Sequence, residues 1–123
     1  MPTNPESPSL YEIVKRAVDV ADPDGADERL DQLLGQFEDD DEPAAAVLDD
    51  LESRVADVVS FVDADIEDPA VSMATVMILY LAHRRDELHA SPDRIIRLAA
   101  QAEWEGDPPH AVVRWLADRG VKL

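Results

Sequence analysis

The chain has 123 residues, of which 28 are acidic and 11 basic, for a formal net charge of −17, and 46% are apolar. A chain of that length supports one domain with one real core, burying roughly two thirds of the surface of the extended chain on folding. The absence of cysteine excludes disulfides and thiolate metal sites, and a field of this sign repels phosphate backbones, which argues against nucleic-acid binding by the whole chain.

The segment Met1 to Glu6 is polar and contains two prolines, with neither the basic nor the apolar region of a secretory signal. Residues 1–8 are therefore expected to be a disordered tail, 9–123 a single all-helical domain, and the location cytoplasmic by default. Helix starts are announced by six prolines that follow Ser, Asp or Glu: Pro8, Pro23, Pro43, Pro69, Pro92 and Pro108. Proline at the first helical position wastes no hydrogen bond, and the residue before it can cap the turn.

The spacing predicts a first helix over Ser9 to Ala21, with Leu10, Ile13, Val14, Ala17 and Ala21 on one face. Asp22-Pro23-Asp24-Gly25 ends it as a turn. A second helix, Ala26 to about Glu38, carries Leu30, Leu33, Leu34 and Phe37, and Gly35 weakens its end. The third, Pro43 to about Val62, has the cleanest period: Leu48, Leu51, Val55, Val58 and Val62 form a heptad seam flanked by Asp49, Asp50, Glu52 and Asp57.

The fourth helix, Pro69 to about Leu88, is apolar nearly all round between Val71 and Ala82, which makes it the central helix. Its longest apolar stretch, Ala70 to Ala82, would extend about 20 Å, short of the roughly 30 Å core of a bilayer, so no membrane span is expected. The fifth, Pro92 to about Trp104, is expected to bury Ile95, Leu98, Ala99 and Ala102. The sixth, Pro108 to Arg119, is expected to bury Val112, Val113 and Leu116 and to stop at Gly120. No strand pattern or internal repeat competes with this reading. The expected fold is all-α, a five- to six-helix bundle around a central antiparallel hairpin of the third and fourth helices, joined at Ala64 to Asp68.

All of the excess charge lies in the first 68 residues: 12 acids and 3 bases over 1–41, 9 and 1 over 42–68, and 7 and 7 over 69–123. The bases are nine Arg and two Lys, a balance that fits a high-GC gene and a salt-adapted protein equally. Most acidic runs fall before helix starts, where the macrodipole stabilises each carboxylate by about 0.3–1 kcal/mol. Neither Asp22 to Asp27 nor Asp63 to Asp68 has the loop length or the glycine and glutamate positions of a calcium loop. His83 and His89 lie about 240° apart around a helix and His110 sits on another, so no metal or cofactor is expected.

No glycine-rich loop, nucleophile elbow or cysteine nucleophile is present, and no catalytic residue is assigned. The leading expectation is a non-catalytic protein-interaction or homo-oligomerisation module. Its contacts are placed on Leu51, Val55, Val58 and Val62 of the heptad seam and on Arg84, Arg85, Arg94, Arg97 and Arg114 of the neutral half. The last two helices have the length of a helix-turn-helix, but Glu105 and Asp107 lie where DNA would approach. The rival expectation is a small-ligand-binding or enzymatic bundle with a pocket drawn from Met77, Tyr80, His83, Trp104 and Trp115.

Overall fold

The computed structural model describes residues 8–25, 27–39, 42–43, 48–61, 69–105 and 107–121, and for 58–61 the helical backbone alone. Within them lie six α-helices: α1 (Leu10–Ala21), α2 (Glu28–Gly35), α3 (Leu48–Phe61), α4 (Pro69–His83), α5 (Pro92–Trp104) and α6 (His110–Asp118), with a 3-10 turn at Arg85–Glu87. The fold is an all-helical bundle, as its periodicities require. No helix among the described residues is long and apolar enough to cross a membrane.

Helix α4 organises the packing. Val71, Met73, Ala74, Val76, Met77, Ile78, Leu81 and Ala82 are all buried on it and cover most of its circumference, leaving Ser72, Thr75 and Leu79 partly exposed. It packs most extensively against α1 and α5, and also touches α6, α3 and α2. Each fully buried Leu, Met or Ile contributes about 1.5–3 kcal/mol, so this one helix anchors much of the core. The turn of the expected hairpin, Ala64 to Asp68, lies outside the described residues, as do residues 1–7 of the expected tail. Pro8, the last residue of that tail, is buried.

Local chemistry fixes the helix ends. Ser9 and Glu12 form a capping box on α1: the Glu12 amide donates to Ser9 Oγ at 3.2 Å, and the Ser9 amide donates to Glu12 Oε2 at 3.3 Å. The second helix starts at Asp27, whose carboxylate accepts from the Arg29 amide at 2.9 Å, while Asp22 accepts from the Asp27 amide at 2.7 Å. The run Asp22 to Asp27 is thus used in capping. Ser91 caps α5 ahead of Pro92. Gly120 follows α6 with φ +72°, and Glu105 closes α5 in the left-handed region at φ 50°, where a side chain is strained.

Three of the expectations are corrected. Helix α4 stops at His83, because Arg84 leaves helical dihedrals at φ −121°, ψ 66° and the chain turns through Arg85–Glu87 toward α5. The buried face of α5 is Ile95, Ile96, Ala99 and Ala100, leaving Leu98 half-buried and Ala102 exposed. On α6, Val112 and Leu116 are buried, whereas Val113 is 45% exposed.

Two arginines stitch the ends together. Arg16 on α1 donates from Nε to the Leu88 carbonyl at 3.0 Å and from Nη2 to the Ala90 carbonyl at 2.8 Å, pinning the α4–α5 connection. Arg119 lies 4.1 Å from the Trp115 ring centroid and donates to the Ala21 carbonyl at the C-terminal end of α1. There it supplies the cation that the last turn of α1 lacks.

Val55 is 1% exposed and packs in the core, so Val55→Asp buries a carboxylate in an apolar site and is expected to cost about 3 kcal/mol or more. Circular-dichroism melts at two protein concentrations should show the same loss, as for unfolding of a monomer. Arg16→Met strands two carbonyls and is expected to lower stability by about 1–3 kcal/mol, read as a shift in the urea midpoint.

Candidate functional site

A groove of about 650 Å³ lies between α3, α4 and α5. Its floor is the α4 row Val76, Leu79, Tyr80 and His83, spaced i, i+3, i+4, i+7, the period that puts four side chains on one helical stripe. One wall is Leu48, Asp49 and Glu52 of α3, and the other is Ala99, Ala102 and Glu103 of α5. The rotation of α5 relative to its expected face matters here, because it brings Ala102 and Glu103 to the groove instead of burying Ala102. Two alanines on that wall leave the space that larger side chains would fill.

The carboxylates of the rim and the cations near it are used differently. Asp49, Glu52 and Glu103 are exposed, and none of them forms an ion pair or side-chain hydrogen bond among the described residues. Arg84 at the groove's end is already engaged: its Nε and Nη2 reach both carboxylate oxygens of Asp86 at 3.2 and 3.1 Å, and its Nη2 lies 3.5 Å from Glu87. Glu87 in turn accepts two bonds from Arg94, both at 3.0 Å. This four-residue network clamps the α4–α5 corner in paired, two-bond geometry.

The network displaces its members' titrations. The hydrogen bonds from Arg94 hold the Glu87 carboxyl below its ordinary value of 4.5, and those from Arg84 do the same for Asp86. Partial burial, reinforced by the negative charge of Glu87, raises the Tyr80 phenol above its ordinary 10.0, so Tyr80 presents a neutral hydroxyl to the groove.

The contact residues expected from sequence are dispersed. Leu51 and Val55, each 1% exposed, are buried in the core of the single chain. The Val58 side chain and Val62 lie outside the described residues. Arg84 and Arg94 are held by Asp86 and Glu87, and Arg85 donates to the Ala82 carbonyl at 2.8 Å while its buried Nε finds no partner among the described residues. Arg97 and Arg114 are exposed on α5 and α6. The five arginines therefore do not form one free patch.

Of the expected pocket, Tyr80 and His83 line the groove. Met77 is fully buried in the core, and Trp104 and Trp115 pack against the core without lining it. The groove residues that sequence reasoning did not place in a pocket include Leu48, Val76, Leu79, Ala99, Ala102 and the three rim acids. The signal for the acids was present, since Asp49 and Glu52 flank the heptad seam.

Nothing among the described residues gathers three or more His, Asp or Glu side chains into a metal site. A second hollow of about 560 Å³ lies between the starts of α4 and α6, lined by Pro69, Ser72, His110 and Arg114 among others. No known protein family, curated protein or solved structure matches the chain.

The pH response of the corner clamp has a definite sign. A carboxyl whose folded value is depressed stabilises the fold above its unfolded value and loses that contribution as pH falls through the folded value. Stability is therefore expected to fall below pH about 4.5 in the wild type, and Glu87→Gln should flatten that limb. Urea midpoints measured across the acid range for both proteins check it.

Proposed function

We propose that this chain is a non-catalytic protein-interaction module and that its contact surface is the groove between α3, α4 and α5. The observation that carries this reading is the pairing of a floor of Val76, Leu79, Tyr80 and His83, walled on one side by alanines, with three exposed carboxylates on the two rims that have no ion-pair partner among the described residues. A groove of this make-up offers area to bury and a charge pattern to select by, without the converging acid, base and nucleophile that a reaction would use. The module reading moves the contact surface away from Leu51 and Val55, which the core already occupies.

A second reading keeps one specific support. Tyr80 and His83 share the groove, and its volume is that of a small-molecule site. Against it, the site is open rather than enclosed, and its acids are exposed to water rather than placed against a reacting centre.

Ala102→Trp fills the groove from an exposed position and should leave the thermal midpoint nearly unchanged, within about 0.5 kcal/mol. Immobilised wild-type protein is expected to retain a stoichiometric protein partner from extracts of its source cells, and Ala102→Trp to lose it. Retention that ignores the substitution sinks the groove reading. A metabolite that raises the wild-type midpoint, but not that of a Tyr80→Phe, His83→Ala double variant, would move the assignment to small-ligand binding.

A further inference from the structure

We infer that the occupant of this groove is the apolar face of an amphipathic helix whose flanks carry Lys or Arg. The inference rests on the groove being the contact surface and adds the chemistry of what lies in it. Three observations lead there.

The first is the shape of the floor. The row from Val76 to His83 covers eight residues, about 10 Å along the axis of α4. Two apolar residues one or two turns apart on a docking helix span that length, which is the spacing of helix-in-groove recognition. A strand has no comparable purchase, because the walls and floor are helices whose backbone groups are satisfied internally and offer no open edge.

The second is the sign and position of the rim charges. Asp49 and Glu52 stand on one wall and Glu103 on the other, so a helix lying along α4 has carboxylates on both of its flanks. The groove's own arginine cannot answer them, since Arg84 is committed to Asp86 and Glu87. A cationic flank on the guest satisfies both rims at once. An acidic guest would add like charge, and phosphate-bearing guests, whether nucleic acid or anionic lipid, are repelled for the same reason.

The third is the distribution of charge in the whole chain. Residues 1–68 hold 21 acids and 4 bases, and the described ion pairs of residues 69–121 are made among Arg84, Asp86, Glu87 and Arg94 themselves. Those cations are thus not spent on Asp49 and Glu52, whose field draws a basic segment to the α3 side of the groove before contact. A second copy is a poorer guest, because Val113 is the single exposed large apolar side chain among the described residues.

The test uses the full chain, labelled with ¹⁵N, and three synthetic amphipathic helices of identical leucine face whose polar face is all Lys, all Gln or all Glu. The Leu/Lys peptide is expected to bind one to one, shifting the amides of Leu79, Tyr80, Ala99 and Ala102 in a saturable manner. The Glu52→Lys, Glu103→Lys double variant, both positions being exposed, should weaken that binding about tenfold while leaving the circular-dichroism melt in place. Ala102→Trp should abolish it, and the Leu/Glu peptide should not bind.

If the Leu/Gln peptide occupies the groove as tightly as Leu/Lys, the basic flank is overturned while the interaction surface stands. If groove amides shift instead with protein concentration and light scattering reports a dimer, a second copy is the occupant and the inference fails alone. If the Leu/Lys peptide perturbs acidic surfaces without saturating at the groove, or binds Ala102→Trp unchanged, both the inference and the groove reading fall.

Discussion

A helix with no charged side chain from Pro69 to Ala82 must be covered over most of its circumference, and the architecture follows from covering it. Helices α1 and α5 take the largest shares of that task, and α2, α3 and α6 take the remainder. Each covering helix needs only one apolar face, so their sequences are free to be acidic on the other. The described core is apolar throughout, with no buried polar or charged residue in it. Specific geometry comes instead from the ends of helices, where Ser9, Asp27 and Ser91 cap and where Arg16 and Arg119 tie distant segments to backbone carbonyls.

That division of labour sets the electrostatics. Arginine is spent where backbone or a neighbouring carboxylate can hold its planar fork: Arg16 on two carbonyls, Arg54 on Glu42 at 2.6 Å, Arg84 and Arg94 on Asp86 and Glu87. Exposed pairs of this kind contribute little to overall stability. Their effect is local, fixing the corner between α4 and α5 and hence one end of the groove. The acids of α3 are left to face solvent, so the groove combines an apolar floor inherited from α4 with rims of a single sign.

Helix existence was legible from the apolar period, and α1 and α5 match their expected ends to within a residue; the proline signal marks the first helical residue only at Pro69 of α4 and Pro92 of α5, whereas Pro8, Pro23, Pro43 and Pro108 lie outside the helices described. The choice of face was harder. Apolar residues at 95, 96, 98, 99, 100 and 102 cover more than half of the circumference of α5, so period alone does not decide which sector turns inward. Packing against α4 and α1 selects Ile96 and Ala100 over Leu98 and Ala102. Val112 and Val113 pose the same choice on α6, being adjacent and 100° apart, and one of them must lose. The end of α4 carries no Gly or Pro signal, and its position is set by the turn the chain needs to reach α5. The groove was half visible, through Tyr80 and His83, because its other wall depends on that rotation of α5. The heptad seam left two covers open for a related reason: a 3-4 spacing describes any buried helix stripe, whether its cover comes from another subunit or, as for Leu51 and Val55 here, from the core of the same chain.

The order in which α4 and its covers leave the ribosome gives the charge asymmetry another meaning. Fifteen residues of a helix that is apolar over most of its circumference emerge before α5 and α6 exist to shield them, which is the moment at which a growing chain is most prone to stick to its neighbours. The 68 residues that precede α4 in this sequence carry its net charge of −17, and the 55 from Pro69 onward add none. Each unfinished chain therefore presents its most adhesive segment behind a strongly anionic lead, so that two such chains repel before their exposed helices can meet. Charge and adhesiveness are in this sense ordered along the chain, with the repulsive segment ahead of the one that most needs it.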